Sequence, residues 1–245
     1  MAHEFSKQAK LYAKYRPTYP DEMYAFIFDR LQAMDCAWDC GTGSGQVAAY
    51  LADHFKQVFA TDIDEKQLKY AIPKTNITYK KAPAENSGLS DHYFDLITVA
   101  QAIHWFNFER FYSEVQRVAK DQALLAAISY GMIEINNKVD PILRELYDEA
   151  FGTYFTQVRE YIDQQYQTIP FPFEEIPSPI FASTFEWTLE QLEGFFNSWS
   201  PVQKMKSEQH YNPVSSMMEK VRKFISEGEK FNVTFPVFMR LGKIA

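Results

Sequence analysis

An aspartate stands just before three glycines at alternate positions: Asp39-Cys40-Gly41-Thr42-Gly43-Ser44-Gly45, with Gln46 following. Glycine takes turns that side chains forbid and lets a bulky ligand lie against the backbone. A second acidic group, Thr61-Asp62-Ile63-Asp64, closes the next apolar run, and Asp62 lies 17 residues past Gly45. That is close to the offset of ~20 residues at which a carboxylate holds a ribose diol in nucleotide-binding folds. An ionised carboxylate can accept from both ribose hydroxyls. Asp64 is then placed to cap a helix starting at Glu65.

Two ligands compete for such a turn. A dinucleotide fingerprint wants its third glycine where Gln46 stands. A pyrophosphate would also meet Asp39, an unfavourable like-charge contact, whereas a cationic ligand would not. The two cysteines, Cys36 and Cys40, form no CxxC pair and have no matching histidine cluster. They are expected to be buried, reduced thiols, with no metal site.

These residues need a frame that brings them to one edge. Between 36 and 130, strand-like runs (Cys36–Cys40, Gln57–Thr61, Ile77–Lys80, Phe94–Ala100, Ala123–Tyr130) alternate with helical stretches (Gln46–His54, Glu65–Ala71, Phe108–Val118). That rhythm predicts right-handed crossovers and a parallel sheet covered on both faces, with its ligand at the carboxyl ends of the strands. Before it, residues 1–35 read as helical, with Pro20-Asp21-Glu22 opening a helix. After it, residues 131–180 read as an aromatic, mostly helical cap inserted into a single domain spanning 1–245. Residues 181–245 supply Phe181–Trp187 as a strand, helices at Leu189–Trp199 and Pro213–Ser226, and a last strand from Phe231 in which Pro236 predicts a bulge or an exposed edge.

A net charge of −7 without a Lys/Arg-rich run argues against nucleic acid and anionic membrane as partners. No apolar run approaches the roughly 20 residues of a membrane span, and Met1–Phe5 does not open a secretory leader. The expectation is a cytoplasmic protein, monomeric or a small homo-oligomer, acting on a small molecule.

Asp39 through Gly45 followed by Asp62 resembles the motif pair of class I S-adenosylmethionine-dependent methyltransferases. Lys81-Ala82-Pro83-Ala84-Glu85, then Tyr93-Phe94-Asp95-Leu96-Ile97, is similar to that family's third-strand turn and fourth strand. Ala102-Ile103-His104-Trp105-Phe106, Tyr15-Arg16-Pro17-Thr18-Tyr19-Pro20 and Ser198-Trp199-Ser200 look like the trans-aconitate methyltransferase-like (methyltransferase type 11) group.

The resemblance implies an α/β Rossmann-like, seven-stranded, mostly parallel sheet of order 3-2-1-4-5-7-6, with a helical insertion after the fifth strand. It implies S-adenosyl-L-methionine as cofactor, S-adenosyl-L-homocysteine as product, and methyl transfer to a small molecule, a carboxylic acid first among the candidates. Gly41, Gly43 and Gly45 would cradle the cofactor. Asp39 would face its ammonium, Arg16 its carboxylate, Asp62 the ribose and Ile63 the adenine. Ala84 and Glu85 would border the adenine edge; Ala100 and Gln101 would line the methionine end. His104 is the candidate base, or else a positioning group. Trp105, Tyr130, Tyr154 and Trp199 are candidate pocket walls. Two alternatives stay open at this point: an NAD(P)-binding oxidoreductase, and a cofactor-binding regulatory protein without turnover.

Overall fold

The computed structural model describes residues 17–154 and 156–245. The described residues form two compact units: one of residues 18–130, 164–181 and 237–245, the other drawn from residues 131–163 and 182–236 with Pro17.

The first unit carries the parallel sheet. Its elements are α1 (Asp21–Phe28), β1 (Cys36–Cys40), α2 (Gln46–Leu51), β2 (Gln57–Asp62), α3 (Glu65–Leu68), β3 (Ile77–Lys81), β4 (Phe94–Ala100), a 3-10 turn (Ile103–Trp105), α4 (Phe108–Val118), β5 (Ala119–Tyr130) and β6 (Glu174–Ile176). The strand β8 (Phe231–Lys243) pairs antiparallel with β5 and β6 through its second half. Strand order is β3-β2-β1-β4-β5-β8-β6, and β7 (Phe181–Trp187) also pairs with β8.

The predicted order therefore holds with an eighth strand added. The addition is β6, three residues between Pro172 and Pro177, too short to show a period in sequence. At Pro236 the β5 ladder has not yet begun: it starts one residue later, at Tyr130↔Val237, so the missing N–H falls just outside it. Every residue of β1 is buried, Asp39 included, as expected for a central strand covered on both faces. Trp38 packs against Phe94 and Phe111 and donates to Thr61 Oγ1 at 2.9 Å, fixing β1 to β2. Asp95 accepts from the Asp35 and Cys36 amides at 3.0 and 2.9 Å and from Lys120 at 2.7 Å, which anchors the start of β1 to β4.

The other unit holds α5 (Asp140–Tyr154), α6 (Thr156–Asp163), most of β7, α7 (Leu189–Asn197), α8 (Ser200–Glu208), α9 (Pro213–Val221) and the first half of β8. Leu143, Leu192, Phe195, Phe196, Met218 and Phe235 form its core. The helix predicted from Leu189 stops at Asn197, and α8, opened by Ser200-Pro201, is a helix the sequence periodicity did not separate.

Candidate active site

At the carboxyl end of β1, Gly41, Gly43 and Gly45 have φ of +70°, +55° and +76°, the left-handed region that penalises any side chain. The Thr61 carbonyl grips the turn by accepting from Gly41 N at 2.8 Å and Thr42 N at 2.9 Å. A Cβ on Gly41 would fall 2.7 Å from that of Ala102, and one on Gly45 would collide with the Tyr79 hydroxyl, which donates to Ile72 O at 2.7 Å. Packing thus reinforces what the backbone requires. Gly45→Ala is expected to cost about 1–2 kcal/mol, read from urea melts; an unchanged midpoint would mean that the turn relaxes and Tyr79 swings aside.

Asp39, 1% exposed, is fully engaged. Its Oδ1 accepts from Thr98 Oγ1 at 2.8 Å; its Oδ2 accepts from Thr42 Oγ1 at 2.5 Å and Ala48 N at 3.2 Å. One carboxylate thereby ties β4, the glycine turn and α2 together. Burial pushes its pKa up to about 6 against those three hydrogen bonds, and the neighbouring Asp62 adds to the rise. Asp62 is half-buried at the end of β2 and accepts from Gly43 N and Asp64 N, both at 2.8 Å; burial raises its pKa as well. Asp64 caps α3 as its position predicted, accepting from Lys66 N at 2.9 Å. Ile63, between the two acids, is 70% exposed.

The Ser44 hydroxyl, inside the same turn, is buried and has no hydrogen-bond partner among the described residues. An orphaned donor is costly, and a ligand bearing an acceptor would satisfy it.

The remaining sequence candidates fall into separate groups. Ala84 is buried, and Glu85 Oε1 accepts from Asn107 N at 2.9 Å, joining the β3–β4 loop to the start of α4. Ala100 ends β4. Gln101 follows with φ +55°; its backbone N–H donates to Ile128 O at 2.9 Å, and its Oε1 accepts from Ser129 Oγ at 3.1 Å. His104 and Trp105 form the 3-10 turn, their rings 5.2 Å apart, with Trp105 54% exposed. Tyr130 is buried, its ring 6.4 Å from that of Tyr19. In the other unit, Tyr154 is the last residue of α5, and Trp199 is buried against Phe196 and Phe151 at 4.7 and 5.4 Å. Arg16 lies outside the described residues.

His104 has a partner that no local pattern announces. Its Nδ1 lies 2.7 Å from the Tyr166 hydroxyl, 62 positions along the chain. Burial lowers the imidazole pKa to about 4, so the ring is neutral at neutral pH. Thr42 and Thr98, the hydroxyls that hold Asp39, also escaped the sequence reading. β4 is buried along nearly its whole length and shows no alternation, so nothing in its sequence marks Thr98. Nothing in the sequence pairs Tyr166 with His104.

A methyltransferase domain profile matches residues 38–127, which hold the end of β1, the glycine turn, Asp62 and the 3-10 turn. A "Putative methyltransferase" of Dictyostelium discoideum is 32% identical over 248 residues, spanning 98% of this chain and 94% of that protein. The chain belongs to the class I S-adenosylmethionine-dependent methyltransferases. A solved "Putative Type II Methyltransferase" from Anaeromyxobacter dehalogenans superposes on this methyltransferase with a TM-score of 0.83 at 32% identity, covering 93% of this chain and 97% of that one. A Haemonchus contortus phosphoethanolamine N-methyltransferase 2, solved with phosphomonomethylethanolamine and S-adenosylhomocysteine, shares the fold at a TM-score of 0.51 and 15% identity, covering 98% of this chain and 58% of that one.

The cofactor of the methyltransferase is S-adenosylmethionine, and the nicotinamide alternative falls with the family assignment. The residues present fit it: a left-handed glycine cradle, an unpartnered hydroxyl and carboxylates rather than a phosphate-binding cation cluster. Among the described residues no His/Cys/Asp/Glu group could hold a metal ion, and no helix is long and apolar enough to cross a membrane.

Proposed function

We propose that the chain methylates an oxygen of a small carboxylic acid, in the manner of the trans-aconitate methyltransferase-like group that its sequence resembles. The observation that carries this reading is the state of His104. It is neutral and weakly basic, with Nδ1 already engaged by Tyr166. A phenol, an alcohol or an ammonium must lose a proton before it can attack, and a weak base serves them poorly. A carboxylate oxygen attacks as it stands. When bound, the cofactor supplies a methyl group on a positively charged sulfur; alignment and exclusion of water fall to the protein.

In this reading Gly41, Gly43 and Gly45 lie under the cofactor and Ser44 Oγ donates to it. Asp62 keeps acceptor capacity for the ribose hydroxyls beyond its two amide bonds, since each carboxylate oxygen has two lone pairs. The exposed Ile63 covers one adenine face, and Ala84, Glu85, Ala100 and Gln101 border the two ends. Asp39 acts on the cofactor ammonium through the turn it holds. Trp105 and Tyr130 wall the acceptor side.

Turnover with S-adenosylmethionine over a panel of small carboxylic acids, phenols and amines tests the acceptor. Base-labile methyl esters from the acids are expected; methylation of phenols or amines alone would sink the proposal. For the cofactor half, Asp62→Ala is expected to weaken S-adenosylhomocysteine binding by about 1–3 kcal/mol. Calorimetric affinity equal to wild type would place the ribose carboxylate elsewhere.

A further inference from the structure

Tyr166 sits in a segment built at some cost. It and Gln165 both have left-handed backbones, φ +62° and +51°. A bulky residue in that region is an outlier that surrounding structure must hold in place, and such strain collects at functional sites.

The holding group is Arg240 on β8. Its Nη1 donates to Tyr166 O at 3.1 Å and Ile169 O at 2.6 Å, while Nε and Nη2 pair with the Glu175 carboxylate at 2.8 and 2.7 Å. The guanidinium also lies 4.5 Å over the Phe171 ring. The Tyr166 side chain is 0% exposed, with Phe238 edge-on to it at 5.5 Å. Held in this way, the hydroxyl meets Nδ1 of His104 at 2.7 Å. Among the described residues none is hydrogen-bonded to Nε2.

The direction of that hydrogen bond follows from acidity. A phenol is a better acid than a neutral imidazole N–H, and an imidazole nitrogen is a better acceptor than a phenol oxygen. We propose that Tyr166 is a positioning residue: its hydroxyl donates to Nδ1, fixes His104 as the neutral Nε2–H tautomer, and makes His104 a hydrogen-bond donor to the methyl acceptor rather than a base. The inference rests on the acceptor reading above, because an anionic oxygen wants a donor where a phenol or an amine would want a base. With Nδ1 filled and Nε2 carrying the proton, the ring has no lone pair left to take one.

Long-range proton–nitrogen NMR of the ligand-free protein reads the tautomer directly, the His104 signals being assigned by their loss in His104→Gln. The expected pattern is a protonated Nε2 and a bare Nδ1 shifted by an accepted hydrogen bond, with Tyr166→Phe moving Nδ1 to its unbonded position. A protonated Nδ1 in wild type, or nitrogen shifts unmoved by Tyr166→Phe, overturns the assignment. In turnover, Tyr166→Phe is expected to lower kcat about tenfold, the size of one hydrogen bond, at unchanged KM for S-adenosylmethionine. His104→Gln, whose amide N–H overlays Nε2–H, is expected to keep more activity than His104→Ala. Should the nitrogens behave as expected while His104→Ala turns over like wild type, the donor role is overturned, and with it the placing of His104 at the acceptor; the tautomer alone would stand.

Discussion

Asp39→Ala is expected to lower the stability of the chain by about 3–5 kcal/mol, a large share of the total for a domain of ordinary stability. The substitution strands three donors at once: Thr98 Oγ1, Thr42 Oγ1 and Ala48 N. Each buried orphan costs about 1–3 kcal/mol, and the two hydroxyls recover part of that by rotating to other acceptors. The amide of Ala48 cannot rotate, so the first turn of α2 suffers most. The glycine turn depends on the same carboxylate, so S-adenosylhomocysteine binding is expected to be lost together with the stability. Urea melts and calorimetry check both halves. A melt within about 1 kcal/mol of wild type would mean that the Thr61 carbonyl, and not Asp39, sets the turn.

The frame was legible because it is written in local periods. Apolar runs of strand length alternate with helical spacing from Cys36 to Tyr130, and each run became a strand of the parallel sheet. The glycines were legible as backbone, since alternate glycines after a buried strand leave few conformations other than a left-handed turn. Asp39 was visible as a residue, but its work was not. Its types of neighbour pointed to a charge facing a ligand, whereas its oxygens meet two threonines and an amide. Thr98 lies 59 positions from Asp39 and meets it only because β1 and β4 are adjacent and parallel.

The least legible feature was the segment that positions Tyr166. It lies in the stretch 131–180 that reads in sequence as a mostly helical cap, and the three-residue β6 inside it gives no alternation to detect. What fixes it is Arg240, one charged residue between apolar neighbours in β8, which nothing in the sequence singles out. Contacts across 62 and 74 positions leave no mark on composition or spacing.

The pH dependence of stability should expose two titrating groups, the buried Asp39 and the half-buried His104, with opposite signs. Asp39 titrates near 6 in the folded chain against a usual 3.8. Between those values the folded state holds the extra proton, so this contribution is complete below pH 3.8 and falls by about 3 kcal/mol as pH rises to 6. His104 titrates near 4 against a usual 6.5. There the unfolded state holds the extra proton, so stability rises by at most about 3 kcal/mol between pH 4 and 6.5. In wild type the two slopes oppose each other over the shared window. Asp39→Asn removes the falling slope, so its stability should climb relative to wild type from pH 4 to 6. His104→Gln removes the rising one and should decline relative to wild type over the same range. Urea melts of the three proteins at pH 4, 5, 6 and 7 give the difference curves. Opposite signs are expected, and flat differences for either variant would mean that its group titrates at an ordinary value.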